Sequence, residues 1–237
     1  MQYVTIKQAI VEQVETGMLS PGQKLPAERQ LAEAFNTTRV TLREALSLLE
    51  AEGRIYREDR RGWFIAPPPL RYDPAKPLLY PELAQSQHRR FTTELLSASA
   101  PLANKQATQY LALKPFSDVY DIERVCYLEK RPVMYMRSYA KMDGDVGVST
   151  LLDHDLTQPL IQLYREHYSL AIASIRYAIR MSALHGEIAQ ALRATVGTSA
   201  LVLEKVYLNS AGDPVFTDIE YWRHDAIAIE SSLPYLK

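Results

Sequence analysis

The sequence predicts an α+β chain with a helix-rich head and a strand-rich second domain. Up to about residue 65, apolar residues recur at helical spacing in three segments, which a short alternating hairpin follows. From about residue 85, alternating strand patterns with short helices take over. Between them, residues 66–81 hold six prolines in sixteen positions, which favours an extended, stiff linker with few backbone donors. The expected divisions are a head at 1–66, a linker at 67–84 and a second domain at 85–237.

Charge is balanced both in the whole chain and in the head. The 237 residues include 27 Lys+Arg and 28 Asp+Glu, and residues 1–65 hold nine of each. A hydrophobic content of 47% is typical of a globular protein with a real core. Any affinity for nucleic acid must therefore depend on where the charges lie, since their sum is close to zero.

The chain contains one cysteine, Cys126. It excludes an intrachain disulfide and a cysteine-based structural zinc site, and it fits a reducing compartment. No apolar run reaches the roughly 18 residues of a membrane span. The five histidines show no metal-ligand spacing, and no Gly-rich phosphate loop occurs. We expect a soluble cytoplasmic protein, with no membrane contact and no cofactor.

Three helices are predicted in the head. Residues 3–16 have helical apolar spacing and end before Gly17. Pro26 suits the first turn of a second helix, which extends to about Phe35. A third helix follows and should end near Gly53.

The third predicted helix has two distinct faces. Arg39 and Arg43 lie four residues apart on one face, with Thr38 and Thr41 near the helix start. The opposite face is an apolar stripe of Leu42, Ala45, Leu46 and Leu49. Arginines and hydroxyls at a helix start suit a DNA major groove, where Arg bonds guanine and the helix start meets phosphate. An ordinary amphipathic helix with a solvated arginine face is the alternative.

A short hairpin is predicted after Gly53. Arg60, Arg61 and Gly62 occupy its tip, between two apolar stretches. Three helices followed by a basic-tipped hairpin make a winged helix-turn-helix. The wing arginines can contact backbone phosphate or the minor groove.

The head also resembles a known family. The run G-x-K-L-P-A-E-R-x-L-A-x-x-F-x-x-T-R-x-T-L-R-E-A-L-x-x-L-x-x-x-G is similar to the N-terminal domain of GntR-type bacterial transcription regulators. The resemblance implies operator contacts by Arg29, Arg39 and Arg43, with Thr38, Thr41 and Gly62 in support. Trp63 departs from the pattern, because a small residue is usual after the wing glycine.

The second half is predicted to be an antiparallel sheet with flanking helices. The predicted strands are 90–99, 119–128, 133–140, 171–181, 201–208 and 215–222, and the predicted helices are 157–168 and 184–194. The hairpins IERVCYLEKRPVMYMRSY and LEKVYLNSAGDPVFTDIEY are alike. This similarity indicates either a weak internal repeat or the common appearance of two hairpins.

This half resembles the UTRA effector-binding domain of the HutC-like GntR branch. The shared features are E-R-V-x-Y-L with P-V, D-L-x-x-P-L-x-x-L-Y and the closing E-Y-W-R-H-D. The resemblance implies a chorismate-lyase-like fold that binds a small, often anionic effector. The segments RRGWF and IEYWRHD resemble the corresponding segments of phosphonate-utilisation regulators within that branch.

The resemblance also implies the effector contacts. Arg124 matches the first arginine of the family's Arg-x-Arg pair, whereas Cys126, Met136 and Pro159 depart from the pattern. Arginine suits phosphate because its planar fork donates two parallel hydrogen bonds. A structural ion pair or a half-buried sheet residue is the alternative for each candidate. The candidates are Thr92, Thr93, Arg124, Arg137, Arg176, Tyr177, Glu220 and Tyr221.

Together these features predict a ligand-responsive bacterial transcription regulator, and not an enzyme. It should act as a homodimeric repressor on operator double-stranded DNA, controlled by a small anionic effector such as a phosphonate or sugar phosphate. The alternative is a small-molecule enzyme of chorismate-lyase-like fold whose N-terminal module does not bind DNA, an alternative that rests on fold analogy.

Overall fold

The computed structural model describes residues 2–76, 78–142, 148–168 and 170–233, which contain seven α-helices and ten strands. The helices are α1 (Gln2–Glu15), α2 (Glu28–Ala34), α3 (Arg39–Ala51), α4 (Tyr80–Ser86), α5 (Lys105–Leu111), α6 (Leu160–His167) and α7 (Gly186–Ala191). The strands are β1 (Ile55–Glu58), β2 (Gly62–Ile65), β3 (Leu70–Tyr72), β4 (Phe91–Ser99), β5 (Val119–Leu128), β6 (Arg131–Lys141), β7 (Ser174–Ala183), β8 (Ser199–Leu208), β9 (Pro214–Arg223) and β10 (Ile227–Ile229).

The chain forms two compact units. The head unit comprises Met1–Pro77, Ala183–Ser199 and Arg223–Lys237, and the sheet unit comprises Leu78–Ser182 and Ala200–Trp222. None of the described helices is both long and apolar enough to span a membrane.

The head unit contains the predicted winged helix-turn-helix. Helices α1 to α3 and the β1–β2 hairpin share one core, in which the four residues of the predicted stripe are fully buried. Helix α3 starts at a hydroxyl cap, because the Thr38 side chain accepts a hydrogen bond from the Thr41 amide at 3.2 Å. The hairpin pairs Glu58 with Gly62, and Gly62 takes a φ of +97°, in the left-handed region that favours glycine.

Two later chain segments complete the head unit. Strand β3 pairs in parallel with β10, so part of the predicted linker is an ordered strand. Arg223 is 1% exposed and donates to the carbonyl oxygens of Leu192 and Arg57, at 3.1 and 2.9 Å. His224 Nε2 lies 2.7 Å from the carbonyl oxygen of Glu50 in α3. The head is therefore held by residues far away in sequence, which local patterns did not predict.

The sheet unit contains the predicted antiparallel sheet, with strand order β4-β5-β6-β9-β8-β7. The order is symmetrical about the central β6–β9 pair. The chain succession α4-β4-α5-β5-β6 also recurs as α6-β7-α7-β8-β9. This double succession supports an internal repeat over a chance likeness of two hairpins.

Several elements differ from their predictions. Helix α6 starts at Leu160 and not at residue 157, because Pro159 occupies the cap position before it. Helix α4 lies where a linker was expected, with a proline in its first turn. Helix α5 was not predicted; its Asn104 cap accepts a hydrogen bond from the Ala107 amide at 2.8 Å.

The two faces of the sheet carry different cores. On one face, Leu160, Leu163 and Tyr164 of α6 pack in a cluster with sheet residues. On the other face, Ala107 and Leu111 of α5 pack in a second cluster. The α6 face carries the pocket described below.

Candidate functional site

The head unit has a basic groove between the wing and the start of α2. The basic groove has an empty volume of about 1140 Å³, including space open to solvent. One carboxylate, Glu28, lines it together with five cationic side chains: Lys24, Arg43, Arg57, Arg60 and Arg61. A head with equal numbers of acidic and basic residues thus concentrates positive charge on one surface.

Arg43 is oriented within the groove by a chain of hydrogen bonds. Its Nε donates to Glu28 Oε2 at 2.7 Å, and Trp63 Nε1 donates to Glu28 Oε1 at 3.2 Å. Burial raises the pKa of Glu28, but the hydrogen bonds from Arg43 and Trp63 outweigh it and hold the pKa below its usual value. The carboxylate therefore remains ionised at neutral pH and keeps both donors.

The structure places four of the eight predicted DNA contacts in the groove: Arg43, Arg60, Arg61 and Gly62. Arg60 is 93% exposed and lies 3.7 Å from exposed Asp59, whereas Arg61 is paired with the buried carboxylate of Glu58. The other predicted contacts lie outside the groove lining. Arg29 forms an exposed ion pair with Glu33 at 3.3 Å.

The start of α3 holds the remaining predicted contacts. The hydroxyl oxygens of Thr38 and Thr41 lie 3.0 Å apart, within hydrogen-bond distance, so both side chains take part in the helix cap. Arg39 is exposed beside them. Val40 is 78% exposed, and sequence analysis missed it. The signal was present, since a valine outside the apolar stripe of a short helix has no core to enter.

Sequence analysis also missed two cations of the groove. Lys24 lies before α2, in an isolated antiparallel bridge with Phe64, and Arg57 lies on β1 opposite Trp63. The Arg57 guanidinium lies 5.6 Å from the centre of the Trp63 ring. Strand alternation places Arg57 on the side of β1 away from buried Tyr56. A residue-by-residue pairing of the two hairpin strands would have predicted this position.

The sheet unit contains a pocket between one sheet face and helices α4 and α6. Its empty volume is about 540 Å³, including space open to solvent. It is lined by Leu78, Leu79, Tyr80, Pro81, Phe91, Thr93, Arg124, Cys126, Met136, Thr157, Pro159, Leu160, Ile161, Lys205, Tyr207, Asp218 and Glu220. The lining includes two cationic side chains and two carboxylates, so its formal charge is zero.

Arg124 forms the first charged cluster. The side chain is 3% exposed; its Nη2 donates to Ser138 Oγ at 2.5 Å and lies 3.6 Å from Asp218 Oδ1. Its Nη1 donates to the Gln158 carbonyl oxygen, just before α6, at 3.1 Å. Nε is buried and has no hydrogen-bond partner among the described residues. An acceptor on a ligand would satisfy this donor.

Lys205 forms the second charged cluster. Its Nζ lies 2.7 Å from Glu220 Oε1 and donates to Tyr80 Oη, also at 2.7 Å. Tyr80 in turn donates to Glu220 Oε2 at 2.5 Å, and Trp222 Nε1 donates to the same oxygen at 3.1 Å. Residues from α4, β8 and β9 are therefore joined at one point of the pocket wall.

Cys126 lies in the pocket wall, 1% exposed, with its Sγ 3.7 Å from Thr93 Oγ1. Burial raises the pKa of the thiol to about 12, so it is neutral at physiological pH. Among the described residues, no group of three or more His, Cys, Asp or Glu side chains is placed to hold a metal ion.

Three of the eight predicted effector contacts line the pocket: Thr93, Arg124 and Glu220. Arg124 and Glu220 flank Met136 on neighbouring strands, in one row across the sheet. All three positions that depart from the family pattern, Cys126, Met136 and Pro159, also line the pocket.

The remaining predicted contacts lie elsewhere in the sheet unit. Arg137 and Tyr221 follow Met136 and Glu220 along their strands, and alternation turns them to the opposite face. There Arg137 donates from Nε to Asp121 Oδ1 at 2.8 Å, and it does not line the pocket. Thr92 and Arg176 are exposed and do not line the pocket. The Tyr177 ring centre lies 5.9 Å from Lys205 Nζ.

Sequence analysis missed several polar groups of the pocket, among them Tyr80, Lys205 and Asp218. Lys205 lies in the strand LVLEKVYL, whose only other charged residue is Glu204, and a buried lysine requires a partner. That pattern could have drawn attention to it. Tyr80 gave no such signal, because it lies in the proline-rich segment.

Comparisons with known proteins agree with this architecture. Residues 2–65 match the model described as bacterial regulatory proteins, gntR family, and residues 86–228 match the UTRA domain. The HTH-type transcriptional regulator YihL of Escherichia coli K12 is 30% identical over 226 residues, 93% of each chain. The HTH-type transcriptional repressor NagR of Bacillus subtilis 168 is 41% identical over 68 residues, 29% of this chain and 28% of NagR.

Solved structures show the same fold. The crystal structure of PhnF from Mycobacterium smegmatis matches with a TM-score of 0.66 at 20% identity, over 97% of this chain and 99% of PhnF.

Proposed function

Because the chain belongs to the GntR family of bacterial regulatory proteins and carries a UTRA domain, we propose that it is a homodimeric repressor. It binds operator DNA in the cytoplasm and is controlled by a small effector. The observation that carries the proposal is the basic groove, because five cations facing one carboxylate suit a polyanion.

DNA binding follows from the exposed groups at the start of α3 and on the wing. Arg39 and Arg43 project from a helix that fits the major groove, where arginine bonds guanine and Val40 suits a thymine methyl group. Exposed Arg60 on the wing suits a phosphate. Two heads in a dimer would recognise two half-sites of a near-palindrome, about one helical turn apart.

The effector belongs in the pocket of the sheet unit. An anionic group there would accept from Arg124 Nε and meet the start of α6, whose cap residue Pro159 supplies no side-chain hydrogen bond. Because the two cations and two carboxylates already balance, the pocket favours an effector with one anionic group and a polar remainder. A phosphonate or a sugar phosphate has this chemistry.

Effector binding changes DNA affinity only if the effector prefers one arrangement of the heads. Strand β9 is a route for this preference. It carries Asp218 and Glu220 in the pocket lining and ends at Arg223, which donates to the backbone of β1 in the wing. A shift along β9 would then reach the wing.

Three measurements test the proposal. The wild-type chain should select a near-palindromic duplex from a random-sequence pool, and one member of a phosphonate and sugar phosphate panel should raise its melting temperature. The same ligand should release the selected duplex in a gel shift. Two variants are matched controls: Arg39→Ala should lose the duplex and keep the thermal shift, and Glu220→Gln should do the reverse. Failure to select or bind any duplex at low salt would refute the proposal.

A further inference from the structure

We propose that Trp63 is a positioning residue for operator recognition and not a DNA contact. Through Glu28, it fixes the Arg43 guanidinium in the orientation that recognises a base. This inference rests on the proposed DNA-binding function and adds a residue that determines its specificity.

The first step is the burial of Trp63. It follows the wing glycine, yet its side chain is 6% exposed and packs in the head core. Its backbone oxygen also accepts from the Leu25 amide at 2.9 Å. Trp63 lines the basic groove but offers little surface to DNA, and its indole N–H donates to Glu28 inside the head.

The second step is the carboxylate that receives this N–H. Glu28 uses one oxygen for Trp63 Nε1 and the other for Arg43 Nε, at 3.2 and 2.7 Å. Both oxygens are committed, so the carboxylate cannot rotate freely between its donors. Trp63 on β2, Glu28 on α2 and Arg43 on α3 thus form one chain of contacts, which we call the brace.

The brace leaves the two terminal nitrogens of Arg43 available for DNA. Arg43 is held through Nε alone, and its side chain remains 64% exposed. No partner for its two terminal nitrogens is found in the described part of the chain. A guanidinium is planar, so holding Nε on Glu28 restricts where the other two nitrogens can lie. Those two nitrogens form the fork that bonds guanine O6 and N7.

The experiment uses the full chain and the duplex that the wild type selects from a random pool. Trp63→Phe keeps a buried ring and removes the indole N–H. It should weaken binding to that duplex about three- to tenfold, the effect of one hydrogen bond. It should also relax base preference at the position that Arg43 recognises, while affinity for random DNA and the salt slope stay unchanged.

The decisive measurement is a double-mutant cycle. In an Arg43→Ala background, Trp63→Phe should cost no further operator affinity, because the group that it positions is gone. A second cycle uses Glu28→Gln, which should lower operator affinity in the wild type but not in the Arg43→Ala background. It keeps the test valid if the phenylalanine variant does not fold.

Three outcomes would overturn the brace. Additive losses in the cycle would mean that Trp63 acts independently of Arg43. Equal losses on selected and random DNA would mean a general structural role. Unchanged affinity and base preference in a folded Trp63→Phe chain would mean no role at all. A chain that selects no duplex fails the proposed function itself, so the two failures are distinguishable.

Discussion

The basic groove and the pocket both use arginine and lysine, but in opposite settings. In the groove, Arg43 and Arg60 have side chains 64% and 93% exposed, and five cations face one carboxylate. In the pocket, Arg124 and Lys205 are 3% and 6% exposed, and each has its own carboxylate. Exposed cations remain hydrated and free to meet a polyanion, whereas buried ones must be paired within the protein. Substitutions should therefore affect binding in the groove and stability in the pocket.

The largest effect should come from Arg124→Met. It leaves the buried Asp218 carboxylate without its cation, which should lower the free energy of unfolding by about 3–5 kcal/mol. Urea denaturation measures the loss. The matched control is Arg39→Ala at an exposed position, which should change stability by no more than about 0.5 kcal/mol. Similar losses for both variants would remove the contrast between the two sites.

The burial of the pocket wall can be tested by the alkylation rate of the Cys126 thiol. Its pKa of about 12, against an ordinary value of 9.0, reduces the thiolate fraction at neutral pH about a thousandfold. Iodoacetamide should therefore label the native chain far more slowly than the urea-unfolded chain, as mass spectrometry can follow. The native rate should keep rising with pH beyond 9, because the thiol is still protonated there. Equal native and unfolded rates would show that the pocket wall opens freely.

In the groove, Arg43→Ala should lower operator affinity by about 1–3 kcal/mol, the discrimination supplied by one bidentate base contact. Stability should fall by no more than about 1 kcal/mol, because Arg43 is largely exposed and its ion pair with Glu28 is near the surface. Gel shifts on selected and random duplexes measure the first effect, and calorimetry the second. An unchanged gel shift with the folded variant would end the assignment of Arg43 to base recognition.

The smallest effect should come from the wing. Arg60→Ala should weaken binding to selected and random DNA alike and reduce the salt slope by about 0.9, as for one phosphate contact. Arg61→Ala should differ, because it also leaves the buried Glu58 carboxylate without its partner. Its DNA effect should therefore come with a loss of stability. A sequence-selective loss for Arg60→Ala would contradict a phosphate contact.

The same contrast explains how much could be predicted from the sequence. The arginines of the head follow from helix periodicity and a short hairpin, which are local properties. That Arg43 lies outside the apolar stripe of Leu42 and Leu46 follows from 3.6 residues per turn alone. The head and its main cations could therefore be predicted, and the internal repeat could be suspected from two hairpins.

The pocket could be predicted only in part, because it depends on pairings between distant strands. Arg124 and Glu220 line the same pocket only because β5, β6 and β9 are neighbours in a particular register. A shift of one residue would turn either side chain to the other face, so no single-strand pattern fixes the site. Lys205 and Tyr80 lie 125 residues apart, which places their contact beyond any local pattern.

The burial of Arg223 in the head unit has a consequence for protein synthesis. The nascent chain emerges from the ribosome N-terminus first, so α1 to α3 and the wing emerge long before Arg223 and β10. The head can take its final form only when nearly the whole chain has been made. An unfinished chain would therefore lack the contacts that support its wing, and a chain with a completed head would already contain the pocket-lining strands of the sheet unit.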